Sequence, residues 1–533
     1  MGKKLHKFIP IILSLTSGLL LFLSWYPNGF IYLVFFALVP ILILSEIKHL
    51  SPLMLFSQAF AGFFMFHILA AGWMYSSTFA GSIFAHIFNS AYMALVVYFW
   101  SAGKKVLTSK IMQSVMLISF WVMFETIHHH WELAWPWFTL GHVFAEKTEW
   151  IQWYSYTGSL GGSVWVLSTN LFFYFAVVAF RNNKNKRGVV LIMSAFLIGG
   201  FLILLSQKMK TLSTYDRSLH VLVIQPNIHP QKEKFAGMSV EDQIERATIL
   251  IKKGVTEKTD LIILPETMLV EPIDENLLSS SKWIEMLRSA ISNNSSTAIF
   301  TGAFTKKISD WAITDQMALI NDSIPYVLYN SALLIQKDSI QIYHKTQLVT
   351  LVEKQPFYAL MKPFKSFIER SGGIFGRYGT YNTSNNLQLN DKTILAPLIC
   401  FESAFGDYTA DQVSNGSELI VLITNDGWWS SFGGYKQHLA LARLRAIETG
   451  RWIARCANTG ISAIIDSKGN IVKQSDYGEA AYIESTVGLN SKNTFYVNRG
   501  NLIGPFAVAA TGLLSILLIL KQRRIRKNIF KRK

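Results

Sequence analysis

Seven apolar runs of membrane-crossing length crowd the first 206 residues of this 533-residue chain, near positions 8–26, 29–45, 53–74, 81–102, 111–128, 159–180 and 188–206. Roughly 17–25 apolar residues span the hydrocarbon of a bilayer as a helix, and a chain in which such runs follow one another cannot fold as a water-soluble globule. An eighth run, about 502–520, lies near the far end. The first run follows Lys3, Lys4 and Lys7 but ends in Ser24-Trp25-Tyr26-Pro27, without the small residues a signal peptidase needs, so it reads as a membrane helix and not as a cleaved leader.

Loop charge predicts an orientation. Lys48 lies between the second and third runs, Lys104, Lys105 and Lys110 between the fourth and fifth, and Arg181, Lys184, Lys186 and Arg187 between the sixth and seventh. The alternate loops 26–29 and 73–80 hold no Lys or Arg. Basic loops stay on the cytoplasmic side, which predicts cytoplasmic N- and C-termini and an extracytoplasmic segment after the seventh run. The basic tail from Lys521 to Lys533 fits that count. These blocks account for much of the net charge of +16, and no nucleic-acid motif accompanies it.

The loop 128–158 is rich in aromatics, among them Trp131, Trp135, Trp137, Phe138, Trp150 and Trp153. Indole rings favour the headgroup layer, so Trp135 and Trp137 are candidate lipid contacts, an ordinary aromatic belt being the plainer reading. His128-His129-His130 does not predict a metal site, because adjacent side chains on a helix point in different directions.

From about 213 to 499 short apolar runs alternate with amphipathic stretches, the pattern of a soluble α/β domain. Expected strands are 220–225, 260–264, 298–302, 330–335, 394–399, 419–424 and 461–465, and expected helices lie near 239–254, 281–293 and 436–450. The predicted domains are therefore 1–212, with seven spans, 213–500, and 501–533, with the eighth span and the tail.

Three polar residues stand where apolar runs stop: Glu266 after Leu261-Ile-Ile-Leu-Pro265, Lys345 after Ile340-Gln-Ile-Tyr-His344, and Cys400 after Leu395-Ala-Pro-Leu-Ile399. Reactive groups gather at the carboxyl ends of strands in α/β sheets. A cysteine attacks as thiolate, and acyl transfer also needs donors for the oxyanion. Cys400 is thus the candidate nucleophile, Glu266 the general base, and Lys345, with the backbone N–H of Phe401, the oxyanion stabiliser. The two cysteines, Cys400 and Cys456, suggest neither a disulfide framework nor a zinc site, and no cofactor is implied.

Leu264-Pro265-Glu266-Thr267, Tyr343-His344-Lys345 and Ile399-Cys400-Phe401-Glu402-Ser403 resemble the nitrilase, or carbon-nitrogen hydrolase, superfamily. So do Thr424-Asn425-Asp426-Gly427-Trp428-Trp429, Gln437-His438 and Ala457-Asn458-Thr459-Gly460. With spans on both sides, and with Trp135-Pro136-Trp137-Phe138 and Gly158-Ser-Leu-Gly161-Gly162-Ser163 before it, the whole chain resembles the apolipoprotein N-acyltransferase family. That likeness implies an αββα sandwich and a ping-pong reaction. Cys400 would take a fatty acyl group from a membrane phospholipid as a thioester and pass it to the α-amine of an S-diacylglyceryl-cysteine on an apolipoprotein. It also implies site roles for Glu353 and Glu402, with a structural salt bridge as the competing reading of each, and substrate or lipid contacts for Phe235 and Trp428. The likeness further implies a multi-pass protein of a bacterial inner membrane, and a monomer is expected.

The chain departs from the family where Thr350-Leu351-Val352-Glu353 replaces a segment commonly written Pro-Phe-Gly-Glu, and where Phe235 and Phe401 replace a tryptophan and a tyrosine. The main alternative is a membrane-anchored amidase acting on a small amide. A transporter is disfavoured by the scarcity of ionisable residues within the spans, Glu46, Lys48 and Glu125 lying near span ends.

Overall fold

The computed structural model describes residues 2–25, 27–47, 50–210, 215, 217–291, 296–308, 317–320, 324–370, 376–380, 385–390, 392–429 and 433–530. Lys48 and the last three residues of the basic tail lie outside the described residues. The chain forms two compact units, one of Met1–Tyr75, Phe79–Met209 and Asn501–Lys533, the other of Ser76–Thr78 and Lys210–Gly500.

In the first unit, among the described residues, six helices are long and apolar enough to cross a membrane: Pro52–Ala70, Phe79–Lys104, Lys110–His129, Ser159–Arg181, Asn185–Met209 and Ile503–Asn528. The two remaining expected spans, Phe8–Ser24 and Ile31–Leu44, are shorter apolar segments, so among the described residues six full-length candidates stand against the eight expected. The second is broken into a 3-10 turn, Ile31–Phe35, and a short helix, Val39–Leu44, with Pro40 in its first turn. A proline has no N–H to continue a preceding helix.

The main-chain groups that this break frees are satisfied by other segments. Asn170 accepts from Leu38 N at 2.8 Å and donates to Val34 O at 2.8 Å, while Ser17 Oγ accepts from Ile41 N at 3.0 Å. Irregular backbone at membrane depth persists only where such partners exist. The aromatic loop is likewise packed. Trp137, expected as a lipid contact, is 2% exposed with its ring 5.1 Å from Trp73, so this indole belongs to the interior of the unit and not to its surface. Trp135 is half-buried, edge-on to Phe138. His128 accepts from Trp131 Nε1 and His129 meets Thr139 Oγ1, and among the described residues no group of three or more metal-ligating side chains occurs. Glu125 binds Leu140 N and Trp121 Nε1, holding the loop onto its helix.

The second unit is built on two sheets. The first seven strands are β1 Arg217–Gln225, β2 Leu261–Ile263, β3 Leu269–Asp274, β4 Ala298–Ile308, β5 Met317–Ile320, β6 Ile324–Ile335 and β7 Ile340–His344. Six more, β8 Leu387–Leu389, β9 Thr393–Ile399, β10 Leu419–Thr424, β11 Trp452–Ala457, β12 Ala463–Ile465 and β13 Ile471–Gln474, form one sheet in the order β13-β12-β11-β10-β9-β8. The last, β14 Ala481–Leu489, returns to pair antiparallel with β1, giving the other sheet the order β14-β1-β2-β4-β6-β5, with β3 on β4 and β7 on β6.

Alternation along the strands explains the layers. Val221 and Val223 of β1 meet Leu419, Val421 and Ile423 of β10 in the core between the sheets. Leu222 and Ile224 face outward under helices Val240–Gly254 and Lys282–Ser289, and Ile420 and Leu422 under helix Gly434–Thr449. Strands buried on both faces read as unbroken apolar runs, and the result is a helix-sheet-sheet-helix sandwich. The helices have ordinary local causes. Ser239 Oγ accepts from Asp242 N at 3.1 Å at the start of Val240–Gly254, and Gly450, at φ +67°, ends Gly434–Thr449 in a left-handed cap.

Candidate active site

Strand β9 ends at Ile399, and Cys400 opens the 3-10 turn Cys400–Ala404 at φ +51°. A side chain in the left-handed region costs on the order of 1–2 kcal/mol, so the surroundings must hold it. Ser403 Oγ donates to Cys400 O at 2.9 Å, and His438 Nε2 lies 3.1 Å from the same oxygen. The turn projects the thiol off the strand end and leaves first-turn N–H groups, Phe401's among them, outside the helix's own hydrogen bonds. The Phe401 ring is buried, edge-on to Phe405.

Glu266 follows β2 by way of Leu264 and Pro265, and the next residue, Thr267, is also left-handed, at φ +50°. This bend lies against Gly302 of β4, where an added Cβ would collide with Thr267 N, Glu266 Cα and Pro265 O, so only glycine permits the approach. The carbonyl of Glu266 accepts from the buried Lys234 ammonium at 2.8 Å. Lys234 ends the turn Pro230–Lys234, and burial lowers its pKa to about 7 against the raising charge of Glu266.

Lys345, 1% exposed, follows β7. Its Nζ donates to Glu266 Oε1 at 3.1 Å and to Glu353 Oε1 at 2.8 Å, and both oxygens also accept from Asn330 Nδ2, at 2.9 and 3.2 Å. Glu353 Oε2 accepts from Val349 N at 2.8 Å. Burial pulls the lysine down, but the two carboxylates outweigh it and hold Lys345 well above its ordinary value. The Cys400 thiol behaves oppositely: burial pushes it up, the Glu266 charge adds to the shift, and Lys345 opposes it. The resting sulfur therefore keeps its proton at neutral pH, and the thiolate must form as a base takes that proton.

The structure thus brings Glu266, Lys345, Glu353 and Cys400 into one buried cluster. Glu353 does form an ion pair, with Lys345 itself. Glu402 forms none among the described residues: one carboxylate oxygen accepts from Thr346 N at 2.7 Å, the other from Ile399 N at 2.7 Å, and Tyr343 OH lies 2.7 Å from both. It ties the chain after Lys345 to the base of the nucleophile turn. Burial raises the Glu402 pKa to about 6, against the lowering effect of those N–H donors. Phe235, exposed, stacks on Trp428 with ring centroids 5.6 Å apart.

Beneath Cys400 lies a second polar cluster. Asp426 accepts from Thr424 Oγ1 at 2.8 Å and Arg455 Nη2 at 2.6 Å and pairs with His438 Nδ1 at 2.9 Å, all four residues being buried. Burial would raise the Asp426 pKa, but Arg455 and His438 hold it down at about 2. Sequence reasoning gave no site role to Lys234, Asn330 or Thr424. The available signals were a lysine beside Phe235, and polar residues inside otherwise apolar strands. Cys456, the other thiol, is fully buried in β11 and donates to Ile224 O at 3.1 Å across the sheets, as a core cysteine does.

The loop that departs from the family pattern bends at Leu351, whose φ is +67°. Leu351 N donates to Lys354 O and Glu353 N to Val349 O, each at 2.8 Å, so the tight turn persists without its glycine.

Residues 223–491 match the family model described as Carbon-nitrogen hydrolase, and residues 17–172 match the model described as Apolipoprotein N-acyltransferase N-terminal domain. A protein named Apolipoprotein N-acyltransferase from Chlorobaculum tepidum is 27% identical over 531 residues, covering 96% of this chain and 97% of that one. One of the same name from Haemophilus influenzae is 24% identical over 539 residues, covering 99% and 97%. Among solved structures, Saccharomyces cerevisiae Nit3, a member of branch 10 of the nitrilase superfamily, aligns with 55% of this chain and 95% of its own at 15% identity and a TM-score of 0.35. The chain belongs to the carbon-nitrogen hydrolase family and carries, ahead of that domain, the N-terminal domain of the apolipoprotein N-acyltransferases.

Proposed function

We propose that this protein is a phospholipid:apolipoprotein N-acyltransferase that works through a Cys400 thioester. The observation that carries the reading is the Lys345 ammonium held between Glu266 and Glu353 beside the Cys400 thiol. In the first half-reaction the Cys400 sulfur attacks a phospholipid ester carbonyl while its proton passes to Glu266. As Glu266 is neutralised, Lys345 loses one of its two counter-charges and turns to the developing oxyanion, assisted by the Phe401 N–H. Such donors are worth about 100- to 1,000-fold each in related chemistry. The oxyanion collapses, the lysophospholipid leaves as an alcohol with the proton from Glu266, and the acyl group stays on sulfur. In the second half-reaction the α-amine of the S-diacylglyceryl-cysteine attacks the thioester, Glu266 takes the amine proton, and the thiolate leaves and is reprotonated.

The match of residues 17–172 to an acyltransferase N-terminal domain supports this reading over a membrane-anchored amidase, whose substrate would be water-soluble and whose acyl-enzyme would be resolved by water. The family match and the apolar helices support a multi-pass inner-membrane protein, and the loop-charge asymmetry supports cytoplasmic termini and an extracytoplasmic catalytic unit. Phospholipid with a labelled acyl chain should leave hydroxylamine-labile label on the wild-type protein and none on Cys400→Ala, and the label should move to a diacylglyceryl-cysteine peptide when that acceptor is added. Transfer to water alone, with the acceptor present, would favour the amidase.

A further inference from the structure

Strands β9 and β10 run parallel with Ile399 opposite Ile423, so the residues that follow, Cys400 and Thr424, are neighbours at the strand ends. Thr424 is fully buried, and its hydroxyl donates to Asp426 Oδ1 at 2.8 Å. The same register sets this hydroxyl beside the Cys400 side chain, where it favours the thiolate. A threonine has one proton to donate, so it serves one acceptor at a time. Asp426 is not dependent on it, since Arg455 and His438 occupy the two carboxylate oxygens as well.

We propose that Thr424 is a further catalytic residue, a hydroxyl that turns from Asp426 to the Cys400 sulfur as the thiolate forms. The inference rests on the reading of Cys400 as nucleophile. The atoms balance without another reactant: the S–H bond breaks and its proton goes to Glu266, Thr424 keeps its own proton and changes only its acceptor, and Asp426 keeps its bonds to Arg455 and His438. Once Glu266 has taken the proton and is neutral, Asp426 is the charge that disfavours the thiolate and Lys345 the one that favours it, and a hydroxyl donor at the sulfur adds to the effect of Lys345. Glu353 acts on Lys345, His438 on the Cys400 carbonyl, and Arg455 on Asp426.

The test is the rate at which iodoacetamide alkylates Cys400 in the full-length protein, read on the Cys400 peptide by mass spectrometry across neutral to alkaline pH. A hydrogen bond to a charged group is worth enough that Thr424→Val should move the alkylation midpoint up by about one pH unit, a roughly ten-fold slower reaction near neutrality. Thr424→Ser, which keeps the hydroxyl, should restore the wild-type midpoint, which a merely structural role would not require. Should Thr424→Val not fold, Thr424→Ala carries the same expectation, with Cys456 remaining unlabelled as the check on folding. An unchanged midpoint in the hydroxyl-free variant, or Thr424→Ser shifting as far as that variant does, overturns the proposal. Acyl label from phospholipid is scored apart: its absence on the wild type would overturn the acyl-transfer reading and leave the alkylation result standing.

Discussion

Asn330 Nδ2 donates to Glu266 Oε1 at 2.9 Å and to Glu353 Oε1 at 3.2 Å, so a single amide nitrogen spans the two carboxylates that also share Lys345. The amide orientation follows from charge, since the oxygen in that place would face two anions. Asn330→Asp should set a third carboxylate against these two and slow thioester formation by about 100-fold, whereas Asn330→Ala, which only removes a donor, should cost about ten-fold. Single-turnover acyl labelling of each variant checks the order. Asn330→Asp labelling as fast as wild type would show that the amide does not govern the pair.

Lys234 gives the stability a pH dependence of known sign. Its folded pKa, lowered to about 7 by burial, lies below the unfolded value, so the unfolded chain binds more protons between those values. Stability should therefore rise with pH from about 7 toward the ordinary lysine pKa, and Lys234→Met should abolish that rise. Thermal unfolding of both proteins across this window measures it. Labelling of Lys234→Met should also be slower at every pH, because the Glu266 carbonyl loses its anchor.

Leu351 sits in a conformation that suits glycine. Leu351→Gly should preserve or raise stability, by up to about 1 kcal/mol, where the same substitution in a helix would lower it. A melting temperature that falls by several degrees would show that the leucine side chain, and not the backbone, holds the turn.

Cys456→Ala should keep full acyl labelling and lower stability by about 1 kcal/mol, as expected of a core thiol whose contacts are lost. Label lost with Cys456 and retained with Cys400→Ala would reverse the assignment of the nucleophile.

The parts of this architecture legible in the sequence are those set by burial on both faces. Leu419–Thr424 was readable to the residue because every position in it is buried. Trp452–Ala457 escaped notice because Arg455 interrupts the run, and the arginine is tolerated only because Asp426 neutralises it. Edge strands such as Leu387–Leu389 and Ile471–Gln474 are short and half polar, and carry too little periodicity to be seen. In the site, Glu266, Lys345 and Cys400 stood out as polar residues at the ends of apolar runs. Asn330 and Lys234 did not, because their roles come from strand pairing and a turn that bring distant residues together, and a polar residue in an apolar strand or a lysine beside Phe235 does not by itself reveal which residues it will meet. Six of the expected membrane spans were countable by hydropathy; Phe8–Ser24 is shorter among the described residues, and Ile31–Leu44 breaks, which hydropathy misses because it registers side chains and not backbone hydrogen bonds.

That break has a consequence for biogenesis. The ribosome delivers residues 31–44 well over a hundred residues before Asn170, the side chain that satisfies Val34 and Leu38. Until helix Ser159–Arg181 arrives, the early segment carries bare amide and carbonyl groups that lipid cannot solvate, so it must wait in a protected place and dock late. Asn170→Leu should accordingly lower the yield of assembled enzyme while each surviving molecule turns over normally, a defect of construction and not of catalysis, visible when labelling is normalised to folded protein.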